Sequence, residues 1–168
     1  MKLALKFIAF AFLTLAPHST YAQTNVAHIN VQQLISEMPE VIAAQNELAK
    51  LEKDYTTQID NAFKEFQTKA QSYSADAANQ TDVTNQARQK ELESMQTNLQ
   101  EFRDSAAQEL QKKQMDLMTP LLEKARNAIT KVGQEQGFDY VIDASPNGGI
   151  ILADGKDLIE DVKRELGF

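Results

Sequence analysis

Two long amphipathic runs, separated by one polar break, constrain this chain more than any other feature. In each run, apolar or aromatic side chains recur three or four residues apart, which is the spacing of one helix face. The stripe positions are Leu48, Leu51, Tyr55, Ile59, Ala62, Phe66, Ala70 and Tyr73 in the first run, and Leu92, Met95, Leu99, Phe102 and Ala106 in the second. This pattern predicts two long helices that pack on each other as an antiparallel hairpin.

The limits of the hairpin follow from prolines and from the polar break. Pro39 suits the first position of a helix, and the first arm is expected to run from there to about Tyr73, a rod of roughly 50 Å. Residues 74–84 (SADAANQTDVT) interrupt the period and predict the tip. Pro120 is expected to kink or restart the second arm beside Pro39. The hairpin is therefore assigned to residues 39–119.

Short strands are expected on both sides of the hairpin. Residues 26–31 alternate apolar and polar side chains, and residues 138–144 form a second strand-like run. The segment Pro-Asn-Gly-Gly at 146–149 has the residues of a hairpin turn, so residues 150–152 (Ile-Ile-Leu) are predicted to be the returning strand.

Helical signals complete the flanks. Residues 32–37 predict one helical turn, and Gly133 and Gly137 are expected to end the second arm. Asp157 followed by Glu160 resembles an N-cap with its partner at the third helical position, ahead of a short closing helix.

The flanks, residues 23–38 and 120–168, are too small to fold alone beneath a hairpin of this length. They are therefore predicted to form an oligomeric body in which open sheet edges pair between copies. The residues assigned to this body are Val26, Ile29, Val31, Leu34, Tyr140, Val141, Ile142, Ile150, Ile151 and Leu152.

The start of the chain predicts export. Lys2 and Lys6 precede an apolar segment, and the small-residue site Thr20-Tyr21-Ala22 follows it. This order is typical of a cleavable signal peptide at residues 1–22, and the apolar segment is too short for a membrane span. There is no cysteine, so neither a disulfide framework nor a lipid-anchoring thiol is available. Cleavage leaves 15 Lys and Arg against 24 Asp and Glu, a charge of −9, which argues against nucleic-acid binding.

The sequence contains little that suggests catalysis. After cleavage, His28 is the only histidine, and it is expected to be a sheet residue. Asp154, Asp157 and Glu160 lack the spacing of a calcium loop, so capping and solvation are favoured. No phosphate-binding loop is present, and no cofactor or metal is expected. The arm charges, among them Glu52, Lys53, Lys64, Lys69, Glu91, Glu93 and Arg103, are interpreted as solvated faces.

Several segments together resemble the Skp (OmpH-like) family of periplasmic chaperones. They are the signal peptide, the strand at 26–30, Pro39 leading into ELAKLE at 47–52, Pro120 before Leu-Leu, and GFDYVID at 137–143. The resemblance spans the mature chain, and the last segment is its most specific part.

This resemblance implies an α+β, mostly helical fold in which three copies share a small β-barrel-like body and three hairpins project as tentacles. It also implies an ATP-independent holdase that carries unfolded outer-membrane proteins across the periplasm of a Gram-negative bacterium. Relatives are basic along the tentacles whereas this chain is acidic, so lipid binding is not carried over, and membrane contact is expected to be transient at most.

A holdase needs several weak apolar contacts, for which methionine and aromatic residues are suited. The candidate client-contacting residues are Phe63, Phe66, Tyr73, Met95, Leu99, Phe102 and Met115. For each one alone, packing between the two arms is the alternative. Phe63 lies one step off the stripe and is the strongest candidate. The alternative function is a secreted coiled-coil spacer or adaptor without chaperone activity.

Overall fold

The computed structural model describes residues 24–146 and 149–168, so the predicted signal peptide (1–22) and turn residues 147–148 lie outside it. The described elements, in chain order, are β1 (Val26–Ile29), α1 (Val31–Glu37), α2 (Pro39–Ala75), α3 (Asp82–Glu135), β2 (Tyr140–Asp143), β3 (Lys156–Asp157) and α4 (Ile159–Leu166). A short 3₁₀ turn (Ala77–Asn79) joins α2 to α3. The mostly helical α+β arrangement predicted from the sequence is confirmed.

The two long helices form the predicted hairpin. Helix α2 has 37 residues and starts with Pro39 at its first turn, while α3 has 54 residues and starts after Thr81, whose hydroxyl accepts a hydrogen bond from the Thr84 N–H. Of the kink or restart expected at Pro120, the restart is wrong, because α3 runs through this residue. One proline removes one backbone hydrogen bond, and Met118 and Leu121 on either side pack against the core and hold both turns in place.

The sheet has three strands in the order β2-β1-β3, and both outer strands run parallel to β1. Val26 to Ile29 pair with Tyr140 to Asp143 on one side, and Ala27 and His28 pair with Lys156 and Asp157 on the other. The first two strands lie where the sequence predicts them but are shorter than predicted: β1 stops at Ile29 because Asn30 caps α1, and β2 covers only residues 140–143. The prediction of a returning strand at residues 150–152 is wrong. These residues are not in a strand within the protomer, and the third strand is Lys156–Asp157.

The reason for this difference is the direction of the strands. Two parallel neighbours on opposite sides of β1 cannot be joined by a tight hairpin turn. The chain that leaves β2 at Asp143 must return to the far side of β1 before β3 begins. Within one protomer, Ile150, Ile151 and Leu152 therefore lie in this connection and remain exposed.

One hydrophobic core joins the sheet to the base of the hairpin. Its buried residues are Ala27, Ile29, Leu34, Met38, Val41, Ala125, Ala128, Val132, Leu158 and Val162. Ile29 and Leu34, which the sequence assigned to the oligomeric body, are part of this core and stabilise the protomer from inside. The hairpin is thus rooted in the body by the first turns of α2 and the last turns of α3.

The glycine and cap assignments are only partly correct. Gly133 lies inside α3, and Gly137 adopts a left-handed conformation just beyond the end of that helix. Leu158, not Asp157, is the N-cap of α4 and has no side-chain cap. The Asp157 carboxylate accepts a hydrogen bond from the Ile159 N–H at 2.9 Å, while Glu160 pairs with Lys163.

Candidate functional site

The apolar stripes mostly bring the two arms of the hairpin together. Leu99 is only 8% exposed and Ala106 is buried. The rings of Tyr55 and Phe102 meet edge to face with centroids 6.0 Å apart, and the Tyr55 phenol donates a hydrogen bond to Glu109. This hydrogen bond to a carboxylate raises the pKa of Tyr55. Leu99 and Phe102 therefore act chiefly as packing residues, which is the alternative that the sequence left open for them.

A polar network fastens the arms below the tip. The Tyr73 phenol donates a 2.6 Å hydrogen bond to Glu91, which also pairs with Lys69. Arg88 lies over the Tyr73 ring, 4.7 Å from its centroid, and binds Asp76 at 3.1 Å. Lys69 and Glu91, which the sequence analysis interpreted as solvated, thus meet across the hairpin. Because the partners lie on different helices, their spacing along the chain gave no signal.

Ion pairs also join the lower part of the arms. Glu47 pairs with Lys113 at 2.8 Å and Glu40 with Lys124 at 2.5 Å. Both pairs are partly exposed, and such pairs contribute little to stability individually. Their effect is to fix the register of the two helices.

An aromatic patch lies on one flank of the hairpin, about halfway along it. Phe63 is 39% exposed, and its ring stacks on that of Phe66 with centroids 6.5 Å apart and an interplanar angle of 23°. Both rings border a shallow depression of about 460 Å³ that spans the two arms. Its other lining residues are Gln96, Thr97, Leu99, Gln100 and Arg103.

The remaining candidate contact residues are dispersed. Met115 is 55% exposed near the base of α3, Met95 is half-buried, and Tyr73 belongs to the tip network. Of the seven residues selected from the sequence, three thus border the aromatic patch: Phe63, Phe66 and Leu99.

One face of the small sheet carries exposed apolar side chains. Val26 and His28 of β1 are paired with Tyr140 and Ile142 of β2, so their side chains share the face opposite Ala27 and Ile29. Tyr140 is 63% exposed, and Val26 and Ile142 are exposed as well. Ile151 is fully exposed in the connection that follows β2. In a single protomer these side chains lack the burial that residues of their type usually have.

A groove of about 580 Å³ lies between α1, α3 and the start of β2. Its apolar lining includes Val31 and Ile35 from α1, Leu122 and Ile129 from α3, and Phe138 and Val141 from the segment that leads into and through β2. Among the residues that the sequence assigned to the body, Val31 and Val141 line this groove.

Asp143 and Ser145 form a turn that the sequence analysis did not identify. The Asp143 carboxylate accepts hydrogen bonds from the Val31 N–H at 3.3 Å and the Ser145 N–H at 2.9 Å, and the Ser145 Oγ accepts one from the Gln32 N–H at 3.0 Å. The Ser145 hydroxyl, 2.6 Å from Asp143, holds the pKa of that carboxyl below its ordinary value. These bonds tie the end of β2 to the start of α1. An acid at the end of a strand and two residues before a serine is a signal that could have revealed this turn.

No constellation for catalysis is found in residues 24–146 and 149–168. No group of three or more histidine or acidic side chains there is arranged to hold a metal ion. His28 lies on the sheet, as expected, and no helix in these ranges is both long and apolar enough to cross a membrane.

Comparison with known proteins gives one consistent result. A family model described as "Outer membrane protein (OmpH-like)" matches residues 25–166. The protein "Chaperone protein Skp" of Yersinia enterocolitica is 26% identical over 160 residues, which cover 92% of this chain and 93% of the relative. The protein of the same name from Pectobacterium atrosepticum is 20% identical and covers 90% of both chains.

A solved structure shares the fold. An OmpH-like protein from Caulobacter crescentus superposes with a TM-score of 0.76, covering 86% of this chain and 85% of that one, at 12% identity. At that identity the match concerns the fold, a long helical hairpin on a small sheet.

Proposed function

The chain belongs to the OmpH-like outer membrane protein family, and from this premise we propose that it is an ATP-independent holdase of the Gram-negative periplasm. Its clients are unfolded outer-membrane β-barrel proteins, which it holds between hairpins and delivers for membrane insertion. It has no enzymatic activity and uses no cofactor. The predicted signal peptide accounts for the periplasmic location.

The observation that carries this proposal is the aromatic patch on the hairpin, where two rings of α2 border a depression that spans both arms. Phe63 is one step off the inter-arm stripe and keeps 39% of its surface exposed although it stacks on Phe66. Burial of apolar area contributes about 25 cal/mol per Å², so a partly exposed ring makes a weak contact that opens and closes readily. Repeated on several hairpins, such contacts retain an unfolded chain without trapping it.

Holding a client between hairpins requires several copies of the chain. We assign the contact between these copies to the sheet. The exposed face of Val26, Tyr140 and Ile142, together with the segment at residues 150–152, presents large apolar side chains without a partner. The outer edges of β2 and β3 are also free to pair. By analogy with the family we propose a homotrimer with a barrel-like body, in which residues 150–152 add to the sheet of a neighbouring copy.

Contact with the client is assigned to Phe63, Phe66 and Met115, with Tyr73, Met95, Leu99 and Phe102 supporting the surface. Phe63 and Met115 are the most exposed of the seven. Release needs no nucleotide, because insertion and folding in the membrane offer the client a lower free energy than the bound, unfolded state.

The test is suppression of aggregation. A urea-unfolded outer-membrane β-barrel is diluted into buffer with increasing amounts of the purified protein, and light scattering is recorded, with an unrelated acidic protein of equal mass as the control. Full suppression near one trimer per client supports the holdase, and added ATP should not change release. Unaltered scattering at excess protein would contradict it and favour the coiled-coil spacer.

A further inference from the structure

The geometry of the aromatic patch points to a preferred client sequence. We propose that the depression beside Phe63 and Phe66 binds an aromatic side chain of the client while Arg103 binds a carboxylate two residues further along the same extended segment. This inference rests on the proposed holdase function and specifies the chemistry that one of its contact sites recognises.

The depression has the size and lining for one aromatic ring. It spans both helices, with the Phe63 and Phe66 rings from α2 on one side and the buried Leu99 of α3 among its lining residues. A volume of about 460 Å³ leaves room for a client ring against the exposed Phe63. Aromatic pairs in offset or edge-to-face contact gain stability beyond that of area burial, so an aromatic residue is preferred there to leucine.

Arg103 supplies the charge at this site. It lies one turn from Leu99 on the same side of α3 and lines the depression. Among the residues described, no carboxylate lies within 4 Å of its guanidinium, whereas Arg88 nearer the tip is held by Asp76 at 3.1 Å. A guanidinium beside a shallow depression that two aromatic rings border complements a client carboxylate, because its planar fork donates two parallel hydrogen bonds.

The spacing of the motif follows from the geometry of an unfolded, extended chain. Residues i and i+2 of such a chain point to the same side and lie about 7 Å apart. A ring in the depression and a carboxylate at i+2 can therefore both face the hairpin. The mature chain carries 15 Lys and Arg against 24 Asp and Glu, and this net charge of −9 disfavours acidic clients in general. Preference for an acidic residue beside an aromatic one must therefore come from this local site.

Three fluorescein-labelled peptides test the proposal, each with one serine- and glycine-rich background and a central Phe-Thr-Asp, Phe-Thr-Lys or Leu-Thr-Asp. Fluorescence anisotropy measures their binding to the assembled full-length mature protein. We expect Phe-Thr-Asp to bind about threefold to tenfold more tightly than either of the others. Arg103→Glu should reverse the charge preference, Arg103→Gln should remove it, and Phe63→Leu should remove the preference for the ring.

Lys53→Gln is the matched control, since it removes one positive charge from an exposed position of α2 that does not line the depression, and it should keep both preferences. Circular dichroism and native mass show whether each variant folds and assembles. If Arg103→Glu and Arg103→Gln fold and keep the wild-type preference, the proposal is wrong. Equal binding of all three peptides by a protein that still suppresses barrel aggregation would overturn this inference alone, whereas absent suppression would overturn the holdase function.

Discussion

The phenol of Tyr73 donates a 2.6 Å hydrogen bond to the carboxylate of Glu91 and so joins the two helices of the hairpin just below its tip. Lys69 pairs with the same carboxylate, and this pairing holds the pKa of Glu91 below its ordinary value. Arg88 has the same effect on Asp76. Two carboxylates that must be ionised thus hold the ends of the arms together.

We expect acid to loosen the tip. A carboxyl whose pKa is lowered in the folded state stabilises that state above its unfolded pKa, and this stabilisation is lost as the pH falls through the lower, folded value. The tip should therefore be closed at neutral pH and open only when the pH falls below the ordinary carboxyl range, through the lowered pKa values of Glu91 and Asp76. Spin labels on cysteines introduced at Gln71 and Lys90, in a chain with no other cysteine, measure the separation of the arms.

Glu91→Gln should produce a similar widening at pH 7, because it removes the ionised partner of Lys69. Glu93→Gln is the matched control, since Glu93 is exposed and its side chain bonds Gln89 on its own helix. A label separation that stays the same from pH 7 to pH 2 would contradict the role given to these carboxylates.

Gly133 is expected to tolerate no side chain. A Cβ at this position of α3 would lie 2.7 Å from Cγ2 of Val141, closer than atoms pack. Replacement by alanine gains about 1 kcal/mol of helix propensity, but overpacking of a core contact costs about 1–3 kcal/mol. Gly133→Ala should therefore lower the midpoint of urea unfolding. In the Val141→Ala background the same change should be neutral or stabilising, and destabilisation of equal size in both backgrounds would refute the steric explanation.

Substitutions at Phe63 and at Leu99 should have different effects, one on client binding and the other on hairpin stability. Leu99 is buried between the arms, so Leu99→Ala should cost about 2–5 kcal/mol of unfolding free energy. Phe63 is partly exposed, so Phe63→Ala should weaken capture of an unfolded barrel protein about threefold or more with little change in stability. Urea unfolding and aggregation suppression measure the two effects. Unchanged capture by Phe63→Ala would remove that residue from the contact surface.

Ile151 should matter for assembly and not for the fold of one protomer. Its side chain is fully exposed, so Ile151→Asp removes no contact within the chain. If residues 150–152 are covered by a neighbouring copy, burial of a charge there should dissociate the assembly, which sedimentation velocity detects. Val83→Asp, a similar change at an exposed position near the tip, is the control. An Ile151→Asp protein that sediments as the wild type would place the interface elsewhere.

The hairpin could be predicted from the sequence because its signals are local. Apolar periodicity predicts both arms, and Pro39 predicts the start of α2. The polar run at residues 74–84 includes the observed break between Ala75 and Asp82. Side chains on one face of a helix are three and four residues apart in the chain, so the pattern is visible in the sequence. The predicted restart at Pro120 is wrong because the proline removes one backbone hydrogen bond, and the packing of residues on both sides of it outweighs that loss.

The sheet and the contacts between arms were harder to predict, because both depend on residues far apart in the chain. The apolar run at residues 150–152 has strand composition, but within one protomer both neighbours of β1 are already taken by Tyr140–Asp143 and Lys156–Asp157. The pairing of Lys69 with Glu91 likewise depends on the register of the hairpin. Arg103 beside the aromatic patch had no sequence signal apart from its helical spacing from Leu99.

The most direct test of the central claim is native mass spectrometry of the protein mixed with a urea-unfolded outer-membrane barrel protein after removal of urea. We expect one dominant species whose mass equals three copies of the mature chain plus one client. A stably folded single chain, or three-copy assemblies without client beside aggregated barrel protein, would contradict a holdase built from hairpins on a shared body.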